Sequence, residues 1–239
     1  MGEAAGDCRV SDLAFGDRAV FVCEADTLVL ADLHLGRSST SAVNAPLGEH
    51  SDISQRLEGL LDRFEPDEVV IAGDVLHAFD TVPPHVEDGL FEIRQTIEEE
   101  ADATAVFVAG NHDAVLETIV EPVPEYHLCD GNTVVCHGHE LPETAAARYI
   151  IGHDHPAIRI EGTRHPCFLV GSVEQIESDV IALPAFNPIA MGMLVNTLND
   201  DDFASPLLHG IGGFRPLVRD ETADETLQFP PLNQLRDHL

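Results

Sequence analysis

Five short motifs along the chain contain the residue types that bind metal ions and activate water. They are Asp32-x-His34, Gly73-Asp74, Gly110-Asn111-His112-Asp113, His137 and Gly152-His153-x-His155. Carboxylates, amide oxygens and imidazoles are side chains that coordinate Mn²⁺, Fe and Zn²⁺ at sites without thiolates. Each motif alone is common by chance, so the prediction of a metal site depends on their joint occurrence.

Seven of these side chains are predicted metal ligands: Asp32, His34, Asp74, Asn111, His137, His153 and His155. Seven ligands are too many for one transition-metal ion, whereas two ions accommodate them if one carboxylate bridges both. Two ions about 3.5 to 4 Å apart clamp a phosphoryl oxygen, and a hydroxide held between them is a strong nucleophile. The sequence therefore predicts two divalent metal ions, with Mn²⁺ as the preferred candidate and Fe, Zn²⁺ or Ni²⁺ as alternatives.

Two further residues are predicted to act beside the metals. Phosphoryl transfer requires a group that stabilises charge on the transition state and on the leaving oxygen. His112 directly follows the predicted ligand Asn111, so its imidazole is the candidate for that task. Asp113 is predicted to hold the His112 imidazole in one tautomer, as carboxylates behind functional histidines often do. His112 and Asp113 are therefore predicted catalytic residues.

A buried strand is predicted immediately before each motif, because short apolar, β-branched runs precede them. These runs span residues 27–31, 68–72, 104–109, 133–136 and 149–151. Ligand sites of open α/β sheets form outside the carboxyl ends of the strands. The five motifs, although distant in sequence, are therefore predicted to converge.

Two amphipathic segments separate the first strands and predict helices at about residues 49–64 and 85–100. This order predicts a βαβαβ half with a parallel sheet. After Thr133 the apolar runs are shorter and closer together, which predicts a second, mixed sheet. The remaining predicted strands span residues 19–23, 157–160, 167–170, 179–183 and 193–195. The predicted fold is α/β, a four-layer αββα sandwich of two mixed sheets in a single domain, residues 1–239.

The ordered motifs resemble those of the calcineurin-like metallophosphoesterases over about residues 32–155. The resemblance implies the metallophosphoesterase fold and a hydrolase of phosphodiester or phosphomonoester bonds. It also implies that Asp74 bridges the two metals. One metal is then bound by Asp32, His34, Asp74 and His155, and the other by Asp74, Asn111, His137 and His153.

A closer likeness extends over nearly the whole chain. Ala31-Asp32-Leu33-His34-Leu35-Gly36, Gly73-Asp74-x-x-His77 and Leu183-Pro184-Ala185-Phe186-Asn187-Pro188 resemble an archaeal SbcD-related phosphoesterase group. The bacterial metallophosphoesterases associated with DNA ligases are similar too. The likeness implies that His77 helps to position substrate, so His77 is the third predicted catalytic residue. It also makes an SbcD-like DNA exonuclease or endonuclease the first alternative function.

Several neighbouring residues receive other interpretations. Arg37 is either a phosphate contact or a surface arginine. His139 and Asp154 alternate with predicted ligands, so both are expected to point away from the metals. The run Leu183–Pro188 is interpreted as a strand that ends in a rigid turn without a catalytic task. A non-catalytic metal-binding scaffold is the second alternative function, although no ligand position is substituted.

The composition is strongly acidic, with 43 Asp and Glu against 12 basic residues, all arginines, and a formal net charge of −31. Such a surface repels itself in dilute buffer, and screening improves when the Debye length falls to about 3 Å near 1 M salt. We interpret the acidity as a sign of a halophilic host. A phosphoester is the predicted partner, and nucleic acid is a candidate although no basic stripe offers a phosphate track.

The sequence shows no membrane or secretion signal. No apolar run approaches the roughly 18 residues of a membrane span, and the N-terminus lacks a signal-peptide pattern. A cytoplasmic protein without membrane association is therefore expected. The five cysteines include no CxxC pair, which argues against a disulfide framework or a thiolate zinc site. No feature of the sequence predicts an oligomeric state.

Overall fold

Short β-branched runs in the N-terminal half form one mixed sheet. The computed structural model describes residues 10–37, 46–77, 80–198 and 202–235, with 46–50 as backbone. The strands are β1 (Leu13–Gly16), β2 (Ala19–Val22), β3 (Thr27–Leu30), β4 (Glu68–Ala72) and β5 (Thr104–Val108). They lie in the order β1-β2-β3-β4-β5. β1, β2 and β3 pair antiparallel, whereas β3, β4 and β5 pair parallel.

Two amphipathic helices cover the outer face of this sheet. They are α1 (Pro46–Phe64) and α2 (Pro84–Gln95), the latter continued by a π-helical turn over Thr96–Glu100. Leu57 and Leu90 are buried in one cluster with Leu28 and Ile71 of the sheet. Full burial of such a side chain contributes about 1.5 to 3 kcal/mol. The helices predicted at 49–64 and 85–100 are confirmed.

A second mixed sheet follows in the chain. The remaining strands are β6 (Glu125–His127), β7 (Thr133–Cys136), β8 (Arg148–Ile151), β9 (Pro156–Ile160), β10 (Thr163–Pro166), β11 (Phe168–Val173), β12 (Ser178–Ala182), β13 (Met193–Leu194), β14 (Arg215–Asp220) and β15 (Glu225–Gln228). Seven of them form the order β15-β14-β11-β12-β8-β7-β6. β7, β8 and β12 pair parallel, so β7 and β8 end at the same edge.

The segments predicted as strands at 157–160 and 193–195 lie outside the second sheet, contrary to the prediction. They form a separate three-stranded sheet in the order β10-β9-β13. The chain turns away from the second sheet at His153 and His155, where φ is 71° and 46°. An apolar run predicts a strand but does not identify the sheet to which the strand belongs. Here the strand that follows the turn at His153 and His155 joins a separate sheet.

The two larger sheets pack face to face. Val29 and Val70 of the first sheet share one buried cluster with Val135, Ile150 and Ile181 of the second. The predicted layered α/β architecture is confirmed. In the described ranges, the outer face of the second sheet is covered by the third sheet, irregular segments and short helices, including α3 (Leu232–Leu235).

Within those ranges, no helix is both long and apolar enough to cross a membrane.

Candidate metal centre

The carboxyl ends of five parallel-paired strands bring the motifs together. Asp32 and Asp74 follow β3 and β4, and backbone hydrogen bonds join their loops. The Asp32 N–H donates to the Gly73 carbonyl at 3.0 Å and the His34 N–H to the Asp74 carbonyl at 2.9 Å. In the second sheet, the Gly152 N–H donates to the His137 carbonyl at 3.1 Å. The predicted convergence at one sheet edge is therefore present.

The first group of candidate ligands contains Asp32, His34, Asp74 and His155, whose ligand atoms all lie within 4.8 Å of one another. Asp32 Oδ1 lies 3.1 Å from His155 Nε2. The two imidazoles face each other, with 3.3 Å between His34 Nε2 and His155 Nε2. These four residues are the set that the resemblance implied for one metal.

The second group contains Asp74, His137 and His153, so Asp74 is common to both groups. His137 Nε2 is 3.4 Å from Asp74 Oδ1 and 3.2 Å from His153 Nδ1. Asn111 Oδ1 joins this group at 3.0 Å from His137 Nε2. All seven predicted ligands thus lie together, in the grouping implied for two metals. Metal binding by each residue is a prediction.

The donor chemistry of the site fits two divalent cations. Asp32 and Asp74 are buried, at 0% and 2% exposure, and buried carboxylates require positive partners. Burial acts to raise the pKa of Asp74, but hydrogen bonding and charge from His137 hold that pKa well below its usual range. Burial lowers the pKa of His34 to about 4, with Arg37 among the smaller contributors. The Asp74 carboxylate is therefore ionised and the His34 imidazole neutral at pH 7, as metal ligation requires of these two residues. At His137, burial is outweighed by the hydrogen bond to Asp74 and the nearby carboxylates, which raise the pKa to about 9, so a metal ion there would replace a bound proton.

Most of the candidate ligands have left-handed backbone conformations. Five of them have positive φ, namely Asp32 (61°), His34 (43°), Asp74 (50°), His153 (71°) and His155 (46°). Such conformations cost residues with a Cβ about 1 to 3 kcal/mol each and persist only where surrounding contacts enforce them. Strain of this kind concentrates at functional sites.

Glycines let the loops approach one another. A Cβ on Gly110 would lie 2.3 Å from the Asp74 backbone nitrogen, and one on Gly152 would lie 2.6 Å from Asp32 Oδ2. Gly73 has φ 81° and faces the His137 ring. Close approach thus requires glycine at 110 and 152, and Gly73 also supplies the tight turn expected from the sequence.

His112 and His77 lie beside the first ligand group. His112 Nε2 is 3.9 Å from Asp74 Oδ2, and the side chain is 36% exposed. The His77 ring stacks on His112 with a centroid distance of 6.2 Å. Both rings are within 6 Å of the His34 ring. The structure therefore brings both predicted catalytic histidines to the site.

Asp113 contacts different partners from those predicted. Its carboxylate accepts hydrogen bonds from the backbone N–H groups of Val75 (3.2 Å), Leu76 (2.9 Å) and Gly110 (2.9 Å). Both oxygens of the Asp113 carboxylate accept these backbone N–H groups, which take the place of the predicted contact with the His112 imidazole. Burial raises the pKa of Asp113 despite these donors. The residue joins the loop that contains Asp74 to the loop that contains Asn111.

Comparison with known proteins identifies the family. Residues 26–171 match the calcineurin-like phosphoesterases. The chain belongs to this family. Calcineurin-like phosphoesterases are metal-dependent, and the two Asp and His groups described above could hold the ions. No curated protein matches the sequence.

The solved structures that match this chain include a nuclease and a phosphoesterase. The crystal structure of Pseudomonas putida nuclease MPE superposes with a TM-score of 0.62 at 22% identity, covering 89% of this chain and 92% of that chain. At this identity the likeness shows the fold. Yfce, a phosphoesterase from E. coli, has a TM-score of 0.43 at 14% identity, over 86% of this chain and 98% of that chain. The narrower SbcD-related grouping and the halophilic origin are predictions.

His139 and Asp154 differ in orientation. The His139 ring lies 5.2 Å from His137 and 6.1 Å from His153, contrary to the expectation that it points away. The chain bends after β7, with φ 97° at Gly138, so the alternation of side chains along an extended strand does not hold at His139. Asp154 does point away, because its carboxylate accepts the backbone N–H groups of Ala204 and Ser205 at 2.9 Å each.

Sequence reasoning missed the partners that support the Asp32 loop in this calcineurin-like site. Asn187 is fully buried and donates from Nδ2 to the Leu33 carbonyl at 2.8 Å. The only signal in the sequence was the run Leu183–Pro188, which was interpreted as a rigid turn. Hydrogen bonds to backbone carbonyls require no particular residue at the acceptor, so no pairing pattern revealed this contact.

Proposed function

We propose that this chain is a metal-dependent phosphoric ester hydrolase that cleaves phosphodiester or phosphomonoester bonds. It would use two divalent ions, with Mn²⁺ as the preferred candidate. The observation that supports the proposal is that the Asp74 carboxylate is common to both ligand groups. A shared carboxylate is what two adjacent ions require. When bound, the ions would polarise the phosphoryl group and supply a nucleophilic water.

The chain's own residues contribute positioning and proton handling. The His112 side chain is 36% exposed, and its Nε2 lies 3.9 Å from Asp74 Oδ2, where it is placed to donate a proton to the leaving oxygen. His77 lies against the His112 ring and limits where the phosphate can lie. Asp113 holds the two loops behind these residues. Preorganised donors of this kind stabilise the transition state more than the ground state.

DNA is the second candidate substrate. The observation that favours it is the placement of His77, from the Gly-Asp-x-x-His motif, beside His112. Pseudomonas putida MPE, which shares the fold, is a nuclease. The net charge of −31 opposes binding of a polyanion in dilute buffer. Small phosphoesters are therefore at least as good candidates as DNA.

The test is hydrolysis by the purified protein in about 1 M KCl, chosen to screen the acidic surface, with and without Mn²⁺. The substrates are bis-p-nitrophenyl phosphate, p-nitrophenyl phosphate, and linear single- and double-stranded DNA. We expect Mn²⁺-dependent turnover that Asp74→Asn abolishes, because both ligand groups lose their shared anion. Asp62→Asn, which changes an exposed carboxylate on α1, is the matched control.

The outcomes separate the alternatives. Cleavage of DNA alone would assign the chain as a nuclease. Two bound Mn²⁺ without turnover on any substrate would refute hydrolysis and favour a non-catalytic metal-binding scaffold.

A further inference from the structure

A buried strap crosses the loop that contains Asp32 and His34. We define the strap as residues Leu183–Pro188. The Phe186 N–H donates to the Ala31 carbonyl at 2.8 Å, and the Asn187 N–H donates to the Asp32 carbonyl at 3.3 Å. Asn187 Nδ2 donates to the Leu33 carbonyl at 2.8 Å. Three consecutive carbonyls of the ligand loop are thus bound by two adjacent strap residues.

The opposite side of the same loop is bound by the loop after β4. The N–H groups of Asp32, His34 and Leu35 donate to the carbonyls of residues 73, 74 and 75, at 2.9 to 3.0 Å. Asp32 and His34 have positive φ, a conformation that surrounding contacts must enforce. The strap therefore supplies one of the two sets of contacts that hold two metal-ligand residues in unfavourable conformations.

Arg18 holds the strap from its outer side. Its guanidinium donates from one nitrogen to the carbonyls of Ala185 (2.9 Å) and Asn187 (3.2 Å). Asn187 is itself fixed because its Oδ1 accepts the Ile189 N–H at 2.9 Å. A chain of hydrogen bonds therefore runs from the β1–β2 turn through Asn187 to the backbone of Asp32 and Leu33.

We propose that Asn187, held by Arg18, is a positioning residue that sets the affinity of one metal site, formed by Asp32, His34, Asp74 and His155. The other site, formed by Asp74, Asn111, His137 and His153, shares Asp74 with the first, but the strap hydrogen bonds described above reach none of its four ligand residues, so we expect it to retain its affinity when Asn187 is changed. This inference rests on the proposed two-metal function. It assigns the Leu183–Pro188 run a task in metal binding that its residue types alone do not indicate.

Removing a group that orients a metal ligand typically weakens metal affinity about 10- to 100-fold, and this range sets the loss of affinity expected here. Asn187→Ala removes the bond to Leu33 and should weaken Mn²⁺ binding at one site about tenfold. Asn187→Asp has nearly the same shape but places an oxygen against the Leu33 carbonyl, so it should weaken the same site. Arg18→Gln should give a smaller loss in the same direction.

The experiment is titration with Mn²⁺ alone, with free Mn²⁺ measured by electron paramagnetic resonance. Asn196→Ala is the matched control, because Asn196 also bonds backbone groups, the Arg159 N–H at 3.1 Å and carbonyl at 2.9 Å, beside the third sheet. It should leave both Mn²⁺ affinities unchanged. Thermal unfolding identifies any variant that fails to fold, and Asn187→Asp and Arg18→Gln then provide the test.

Two backgrounds assign the effect to a site. In His155→Ala the first site is already lost, so adding Asn187→Ala should not change the affinity for the remaining ion. In His153→Ala the same addition should weaken the remaining ion about tenfold. Equal losses in both backgrounds, or no loss in either, would overturn the inference.

The inference and the proposed function can fail separately. Wild-type protein that hydrolyses phosphoesters, with both Mn²⁺ affinities unchanged in Asn187→Ala, refutes the inference alone. Wild-type protein that binds two Mn²⁺ without hydrolysis, and loses one site's affinity in Asn187→Ala, refutes the function alone. Wild-type protein that binds no Mn²⁺ refutes both.

Discussion

At the scale of single residues, Asp74 has the largest number of roles in the site. Its carboxylate belongs to both ligand groups, and its Oδ1 also accepts the His112 backbone N–H at 3.0 Å. The same side chain thus connects the candidate metals to the loop with the proposed proton donor. We therefore expect substitution at Asp74 to affect both metal binding and the position of His112, whereas substitution at His112 tests the proposed proton donor alone.

His112→Ala should retain both Mn²⁺ ions and lose about 10²-fold in kcat, because one stabiliser of the developing charge is removed. Steady-state kinetics and a Mn²⁺ titration of the same preparation measure the two quantities. His127→Ala, which removes an exposed imidazole at the end of β6, should behave as wild type. Undiminished kcat in His112→Ala would refute the assigned role.

The convergence of the candidate ligands could be predicted from sequence, because each follows a strand that ends at the same edge. The contacts of Asp113 and Asn187 could not, since both side chains bond backbone groups. Asp113 bonds the N–H groups of Val75, Leu76 and Gly110, and any residue except proline provides such a group. His139 was misassigned because its ring lies on the ligand side of the strand end.

At the scale of elements, the loops at the sheet edge tolerate little added volume. Gly110→Ala should destabilise the protein by about 1 to 3 kcal/mol and weaken Mn²⁺ binding, because its Cβ would overlap the Asp74 backbone. Gly59→Ala is the matched control, since Gly59 lies exposed on α1 with open space around it. It should stabilise the protein by up to about 1 kcal/mol through helix propensity.

Chemical unfolding and Mn²⁺ titration check this pair. A Gly110→Ala protein with wild-type stability and Mn²⁺ affinity would show that the loop can move to admit a methyl group.

The turn between β6 and β7 is joined to β8 by Asp130. Its carboxylate accepts the Thr133 N–H at 2.9 Å and the Arg148 Nη2 at 3.0 Å, with the side chain 1% exposed. Burial acts to raise the pKa of Asp130, but hydrogen bonds from Thr133 and Asn132 and the Arg148 charge lower it overall. The folded pKa lies below the unfolded value of about 3.9. This stabilisation is therefore full above about pH 4 and is lost as pH falls through the folded pKa.

Asp130→Asn should accordingly lose about 2 kcal/mol of unfolding free energy at pH 7, with a smaller loss near pH 3. Denaturant unfolding of both proteins across this pH range measures the difference. Asp88→Asn, on the exposed side of α2, controls for removal of one negative charge. A difference that is constant with pH would contradict the assignment.

The elements with clear periodicity could be predicted, and α1 and α2 occur where their apolar spacing indicates. The third sheet could not, because the apolar runs at 157–160 and 193–195 predict strands without identifying the sheet that the strands join. The left-handed conformations of residues such as Asp32 were equally hidden. They are imposed by neighbouring loops, because the several-fold enrichment of Asp and His at positive φ is too weak a preference to predict the conformation of a single residue.

At the scale of the whole molecule, the net charge of −31 dominates behaviour in solution. Repulsion between acidic groups disfavours the compact state. We expect the Tm to rise with KCl from about 0.1 M to about 1 M, over which the Debye length falls from about 10 Å to about 3 Å. Scanning calorimetry in KCl, with sucrose of equal osmolality as the control, measures this. A Tm that is flat or falls with KCl would contradict it.

Because the candidate ligands come from both large sheets, the site can form only after the two sheets have packed together. Asp32 Oδ2 accepts the His153 N–H at 3.2 Å across 121 residues of chain. Contacts of such separation close large loops and form slowly. A chain emerging during synthesis cannot assemble the first ligand group until His155 has emerged and the sheets have docked. We therefore expect metal uptake to be a late step, so that the rate of Mn²⁺ binding during refolding would report when the two sheets come together.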